Sequence, residues 1–193
     1  MIKLIYKIFI FFVFFSIEAN SKEVGIGSIN SKVTIKVFSS LTCPACANFH
    51  SKIFHQVKEE FIDKGLVRFE HHPFPLDLAA LNAEIIVRCH VDNTKKFELL
   101  GKIYEKQKLW AVGSDINKIN DSIKKIGLES DLKNKDMDNC LKDENKQDEI
   151  LNQRINAQKK YKIESTPTIF INEKKYSGTV DYKQFKKAIE KKL

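Results

Sequence analysis

Cys43 and Cys46 stand three positions apart, with Pro44 and Ala45 between them. Two thiols at that spacing on the first turn of a helix can close a small disulfide ring. The first sulfur then lies where unpaired backbone N–H groups and the helix dipole favour an anion. A thiolate at Cys43 is stabilised there, so Cys43 reads as the nucleophile. Cys46, one turn deeper, reads as the resolving thiol that attacks a Cys43–substrate mixed disulfide from within. Half of a zinc site and an inert bridge are the competing readings. Zinc needs two further ligands at regular spacing, and Cys89-His90 offers them only at a poor one. The redox reading needs neither a metal nor a cofactor.

The elements that must position this pair are legible on both sides of it. Val33–Phe38 (V-T-I-K-V-F) is β-branched and alternating, the pattern of a strand. A short polar turn, 39–42, leads into a helix at Cys43, with Pro44 suited to its first turn. Cys46, Phe49, Ile53, Val57 and Phe61 recur at spacings of three and four and form one apolar stripe. Lys64-Gly65 is a helix stop. Leu66–His71 alternates again, so the order is strand, CxxC helix, strand. That context favours redox chemistry over a structural motif.

After Pro73-Phe74-Pro75 the pattern turns helical. The expected helices are 78–90, 95–108, 114–126, 132–141 and 148–161, with Ser114 as an N-cap and Gly127 as a stop. Strand character returns at Thr168–Ile171 and Lys174–Tyr176, and 181–193 reads as a closing amphipathic helix. Cys89 and Cys140 fall in the helical middle with 50 residues between them. Their simplest fate in an oxidising compartment is a structural disulfide, of about 4 kcal/mol at most in the chain-entropy model; two buried thiols or a second redox pair are the alternatives. Trp110 needs no role beyond burial in the same region.

The CPAC after V-T-I-K-V-F, the run H-H-P-F-P-L-D at 71–77 and T-P-T-I-F-I-N at 166–172 together resemble the DsbA-like thioredoxin-fold oxidoreductases of bacterial envelopes. The resemblance covers most of residues 30–193 and is weak in the helical middle. It implies an α/β thioredoxin fold with a helical insertion: a first core half at 22–76, the insertion at 77–161 and a second core half at 162–193. It also implies that Pro167 is a cis-proline facing the CxxC, and that Thr166 and Pro167 dock substrate as a short extended segment. Two departures stand out. The family carries a buried acid beneath the CxxC, whereas Val33–Phe38 has none; Glu70 and His72 on the next strand are the candidate proton carriers, against ordinary surface or turn roles. Ala45 can give the Cys43 thiolate neither a hydrogen bond nor a charge from its side chain. His50, one turn beyond Cys46, is either a tuner of Cys46 or a histidine at the edge of a packed helix.

The first 21 residues have the tripartite pattern of a cleaved secretory signal: Lys3 and Lys7, the apolar run Ile8–Phe15, then Ala19-Asn20-Ser21. The apolar stretch is too short for a span of about 20 residues. Loss of two lysines and one glutamate with it lowers the net charge from +8 to +7. The lysines are interleaved with acids and form no dense basic cluster, so nucleic acid is not an expected partner. The expected protein is a monomeric periplasmic oxidase. It acts on exported proteins with free thiols and is reoxidised by a membrane partner. An isomerase or reductase on the same scaffold competes with this reading. Only 22–31 precede the first expected strand, which leaves no dimerisation domain of the kind isomerases carry, whereas Thr before Pro167 occurs in isomerase relatives. A thioredoxin-like binding module without turnover is a third reading, opposed by the intact CxxC.

Overall fold

A computed structural model describes residues 23–193. The expected signal segment, 1–21, lies outside the described residues. Five strands form one mixed sheet in the order β1-β3-β2-β4-β5. They are β1 (Val24–Ile26), β2 (Val33–Ser39), β3 (Val67–Pro73), β4 (Thr168–Ile171) and β5 (Lys174–Lys175). β2 and β3 are parallel; the other neighbours are antiparallel. β1 was not expected from the sequence. It is only three residues long, too short for a periodicity to show, and pairs with the edge of β3 through Val24 and His71.

The helix that opens at Pro44 connects β2 to β3. This helix, α1, begins as Pro44–Phe49 and continues through π-helical His50–Phe54, an α-turn His55–Val57 and π-helical Lys58–Ile62. Cys46, Phe49, Ile53, Val57 and Phe61 are all buried, so the apolar stripe is the face that packs on the sheet. It meets Val33, Ile35 and Val37 of β2 and Phe69 of β3. α1 ends at Gly65, whose φ of +72° is the left-handed conformation that closes a helix at low cost. Phe38 points to the opposite face, where it packs with Phe74, Ile163 and Phe170.

The insertion holds six helices: α2 (Leu78–Val87), α3 (Asn93–Glu105), α4 (Gln107–Trp110), α5 (Ile116–Leu128), α6 (Asn134–Leu141) and α7 (Glu144–Tyr161). The chain closes with α8 (Tyr182–Glu190), whose Phe185 and Ile189 join the core beneath α1. Aspartates cap α2, α3, α5, α7 and α8, each accepting a backbone N–H with its carboxylate.

Three expected details are corrected. Asp115, not Ser114, caps α5, since its carboxylate reaches the N–H groups of both Asn117 and Lys118. Gly127 does not stop α5 but sits inside it. A Cβ there would come within 2.4 Å of Met137 Sδ, so this glycine serves helix–helix contact. The single helix expected over 95–108 is broken at Lys106, and the short α4 turns away to bury Trp110, whose Nε1 donates to the Ile103 carbonyl at 2.8 Å. Cys89 and Cys140 are joined, with Cα atoms 6.0 Å apart, and tie the end of α2 to α6. Among the described residues, no helix is long and apolar enough to cross a membrane.

Candidate active site

The nucleophile candidate lies at the N-cap of α1. Cys43 has extended backbone angles (φ −75°, ψ 118°), and its carbonyl accepts from the N–H groups of Cys46 and Ala47. Pro44 follows at the first helical position, where a missing N–H leaves no bond unmade. The loop before it is tied from three sides. Cys43 N–H donates to the Ser40 carbonyl at 3.1 Å. The Thr42 hydroxyl donates at 2.8 Å to Asp77, the cap of α2. The Gln107 side-chain amide, buried in the insertion, donates to the carbonyls of Leu41 at 2.7 Å and Cys43 at 3.0 Å. The sequence offered no signal for Gln107.

Both cysteines are free thiols in this structure. Cys43 is 9 % exposed and Cys46 2 %. Their environments push them apart. The Cys43 pKa is lowered to about 5, first by hydrogen bonding from the Cys46 thiol. Burial opposes the shift, and the Thr166 hydroxyl and the N–H groups of Cys46 and Ala45 support it. The first cause is thus the partner thiol, with the helix N-terminus contributing through two backbone donors. Ala45 therefore does contribute, through its backbone rather than its side chain. Burial, reinforced by hydrogen bonding to Cys43, raises Cys46 far above the ordinary thiol range.

Across from the pair, the Thr166–Pro167 peptide bond is cis. The Thr166 carbonyl oxygen lies 3.4 Å from Cys43 Sγ and accepts from the thiol. The Thr166 hydroxyl oxygen is buried beside both sulfurs and lowers the pKa of each, without a hydrogen bond of standard geometry to either. The Thr168 hydroxyl donates to the Ser165 carbonyl at 2.7 Å and tightens the turn that presents this segment. Cys43, Cys46, Thr166 and Pro167 are thereby brought to one place. Cys89 and Cys140 belong to the insertion and play no part in this cluster.

The candidate proton carriers fall elsewhere. Glu70 pairs with Arg68 at 2.8 Å and with His72 at 3.2 Å. Burial raises its pKa, but hydrogen bonds from His72 and Arg68 outweigh it and hold the group at about 2. His72 packs on Phe38, on the sheet face opposite α1. His71, between them, points to the α1 face instead. Its Nδ1 lies 2.9 Å from Ser39 Oγ, and its Nε2 bonds to Glu84 of α2. His50 is 7 % exposed, stacked on Phe54 and Tyr104, and lowered to about 3 by burial and then by His55 and His71.

A family model described as thioredoxin matches residues 19–191. The chain belongs to the thioredoxin family. Within that family its DsbA-like character is plain from its relatives. It is 32 % identical over 177 residues to disulfide bond formation protein D of Bacillus subtilis, covering 87 % of this chain and 76 % of that one. A putative protein-disulfide oxidoreductase of Rickettsia bellii is 28 % identical, over 84 % of this chain and 61 % of the other. Among solved structures, the crystal structure of Wolbachia pipientis alpha-DsbA1 superposes with a TM-score of 0.81 at 26 % identity, covering 89 % of this chain and 90 % of that one. This thioredoxin-family chain is a DsbA-like thiol–disulfide oxidoreductase.

Proposed function

We propose that the protein is an exported dithiol oxidase that transfers the Cys43–Cys46 disulfide to thiols of other exported proteins. The observation that carries this reading is the placement of the two thiols: Cys43 at the N-cap of α1 beside the carbonyl that precedes the cis-proline, and Cys46 one turn deeper and almost wholly buried, a setting that lowers Cys43 to about 5 and raises Cys46 far above the ordinary range. An external thiolate attacks Cys43 in the disulfide form. The leaving pair ends on Cys46, and a second substrate thiol then displaces Cys43. Cys43 is a good leaving group at that point because it departs as a stabilised thiolate. Since that stabilisation exists only in the dithiol form, it shifts the equilibrium toward the dithiol and makes the disulfide more oxidising than an unperturbed pair. A membrane redox partner is needed to regenerate it.

Thr166 and Pro167 are assigned to docking the substrate backbone, which the carbonyl of Thr166 beside Cys43 supports. Exposed Leu76, Leu78, Leu109 and Val112 lie on segments joined to the Cys43 loop through Ser40, Asp77 and Gln107. Apolar surface there suits an unfolded polypeptide better than a small polar thiol. An isomerase or reductase on the same scaffold is the competing reading, favoured only by Thr166 before the proline. The test is paired. The disulfide form should oxidise a reduced model protein rapidly, and the dithiol form should rescue a scrambled one poorly. Fast rescue of the scrambled protein with weak oxidation of the reduced one would leave the isomerase standing.

The Cys89–Cys140 bridge is assigned a structural role. Replacing both cysteines by alanine should lower unfolding free energy by about 2–4 kcal/mol while exchange at Cys43 persists. Denaturant melts and the oxidation assay read the two effects. A folded double variant without exchange would make the bridge a redox relay instead.

A further inference from the structure

Cys46 changes its proton each time the ring opens or closes, yet it is 2 % exposed and the solvent-facing sulfur is Cys43. When an external thiolate attacks Cys43 Sγ, the Cys43–Cys46 bond breaks and the electron pair leaves on Cys46 Sγ. That buried thiolate is strongly disfavoured, so a proton must reach it. In the reverse step the Cys46 proton must depart before its sulfur attacks Cys43 and expels the external thiolate. No bulk water stands next to it to do either.

Against Cys46 lies a small, mostly apolar cavity of about 10 Å³, walled by Val37, Phe49, Phe69 and Leu100, which Ser39, His50, His71 and Tyr104 also line. That is close to the smallest space that holds one water. His71 crosses this cavity's wall to a carboxylate. Its Nδ1 is 2.9 Å from the Ser39 hydroxyl, and its Nε2 bonds to Glu84 Oε1, with both residues almost wholly buried at 2 % and 1 %. Glu84 is contributed by α2 of the insertion, in the middle of the otherwise apolar run 79–87 save Asn82. Its second oxygen and the Tyr104 hydroxyl are buried without a hydrogen-bond partner among the described residues. A buried acid and a buried hydroxyl left in that state are costly unless they serve some step.

We propose that the His71–Glu84 pair, reached through the Ser39 and Tyr104 hydroxyls, is the proton relay of Cys46. On ring opening, a proton passes from His71 through a hydroxyl to Cys46 Sγ. The charge that arrived on sulfur is thereby moved to the Glu84 side, where Arg88 also acts. On ring closure the proton returns along the same route, and the released external thiolate takes its own proton from solvent. Electrons move only between sulfurs, and no further oxidant or reductant is required. His50 also lines the cavity but is unsuited to the task. Among the described residues it has no anionic partner, and burial together with His55 and His71 holds it neutral. The titratable groups facing Cys46 are Cys43 and His50 of α1, Tyr104 of α3 and His71 of the sheet, with Glu84 and Arg88 of α2 behind them; the hydroxyls of Ser39 and Thr166 and the backbone of Ser40 complete its surroundings.

This relay rests on the redox reading of the CxxC but not on its direction, because oxidase and isomerase both pass through the step. The test is a single turnover. The dithiol protein is reacted at Cys43 with an aromatic disulfide, and release of the second aromatic thiol as Cys46 attacks is followed by stopped flow across pH. The wild type should show a rate nearly flat through neutrality. Glu84→Gln should slow release about 10²-fold at pH 7 and make it climb roughly tenfold per pH unit, as hydroxide replaces the relay. Thiolate titration of Cys43 in the same variant reports an intact site. Ser39→Ala, which removes the Nδ1 partner without touching the buried carboxylate, should shift the profile the same way and carries the test if Glu84→Gln does not fold. A wild-type pH–rate profile in either folded variant would overturn the relay. Failure of the wild type itself to release the second thiol would overturn the redox reading, and the relay with it.

Discussion

Cys43→Ser is expected to reduce disulfide exchange to the level of buffer and to abolish the low-pH thiolate transition. Cys46→Ser should keep a transition but move it upward from about 5, because the Cys46 thiol is the first cause of the Cys43 shift and a serine hydroxyl replaces it imperfectly. The same variant lacks the resolving sulfur and should accumulate Cys43-linked mixed disulfides with its substrates. Ultraviolet absorbance of the reduced protein against pH reads the first effect. Mass spectrometry of acid-quenched reactions reads the second. A transition that survives Cys43→Ser and vanishes with Cys46→Ser would reverse the assignment of nucleophile and resolving thiol.

The second large effect is a pH-dependent gain in stability of the dithiol form. Cys43 ionises near 5 in the folded chain and near 8.5 when unfolded. A depressed folded pKa contributes stability that is fully present above the unfolded value and is lost as pH falls through the folded one. The window therefore runs from about pH 8.5 down to about pH 5. After discounting for solvent screening at a sulfur near the surface, the gain at pH 7 is about 1–2 kcal/mol. The disulfide form has no such group. Its small ring stabilises it by about 2 kcal/mol through chain entropy, but that contribution does not vary with pH. Denaturant midpoints of the two forms, measured from pH 5 to pH 8.5, should diverge in favour of the dithiol. Parallel curves would show that the Cys43 thiolate is not stabilised by folding.

Much of this was readable from the residues because it is written in short periods. The β-branched alternation at Val33–Phe38, the three-and-four spacing from Cys46 to Phe61 and the strand at Thr168–Ile171 each specify an element by local pattern, and all three are where the pattern puts them. The CxxC reads as redox-active through its context, since it follows a strand and opens an amphipathic helix. What escaped notice depends on contacts remote in sequence. His71 meets Glu84 only because α2 folds back over the sheet face, and Gln107 reaches Leu41 across 66 positions. There was one usable clue for each half of the buried pair. Alternation from Val67 and Phe69 places His71 inward, leaving Glu70 and His72 outward, and Glu84 is a lone acid in an apolar helix. The break at Lys106 had no sequence signature, since neither glycine nor proline marks it.

Gln107 ties the nucleophile's loop to the insertion in a way that bears on how the molecule breathes. Its amide satisfies two buried carbonyls, those of Leu41 and Cys43. Any excursion that lifts α4 off the core removes the Gln107 donor from the Leu41 carbonyl, leaves the Cys43 carbonyl only its helical donors Cys46 and Ala47, and exposes Trp110 at the same time. Local opening of the insertion thereby leaves the Leu41 carbonyl at the active-site turn without the Gln107 amide, which couples the two regions. The helical segment is not an ornament that can be excised to leave a minimal working core. A shortened chain lacking it would have to find new donors for the turn that holds Cys43, and a graft of this turn onto another scaffold must bring an equivalent amide with it.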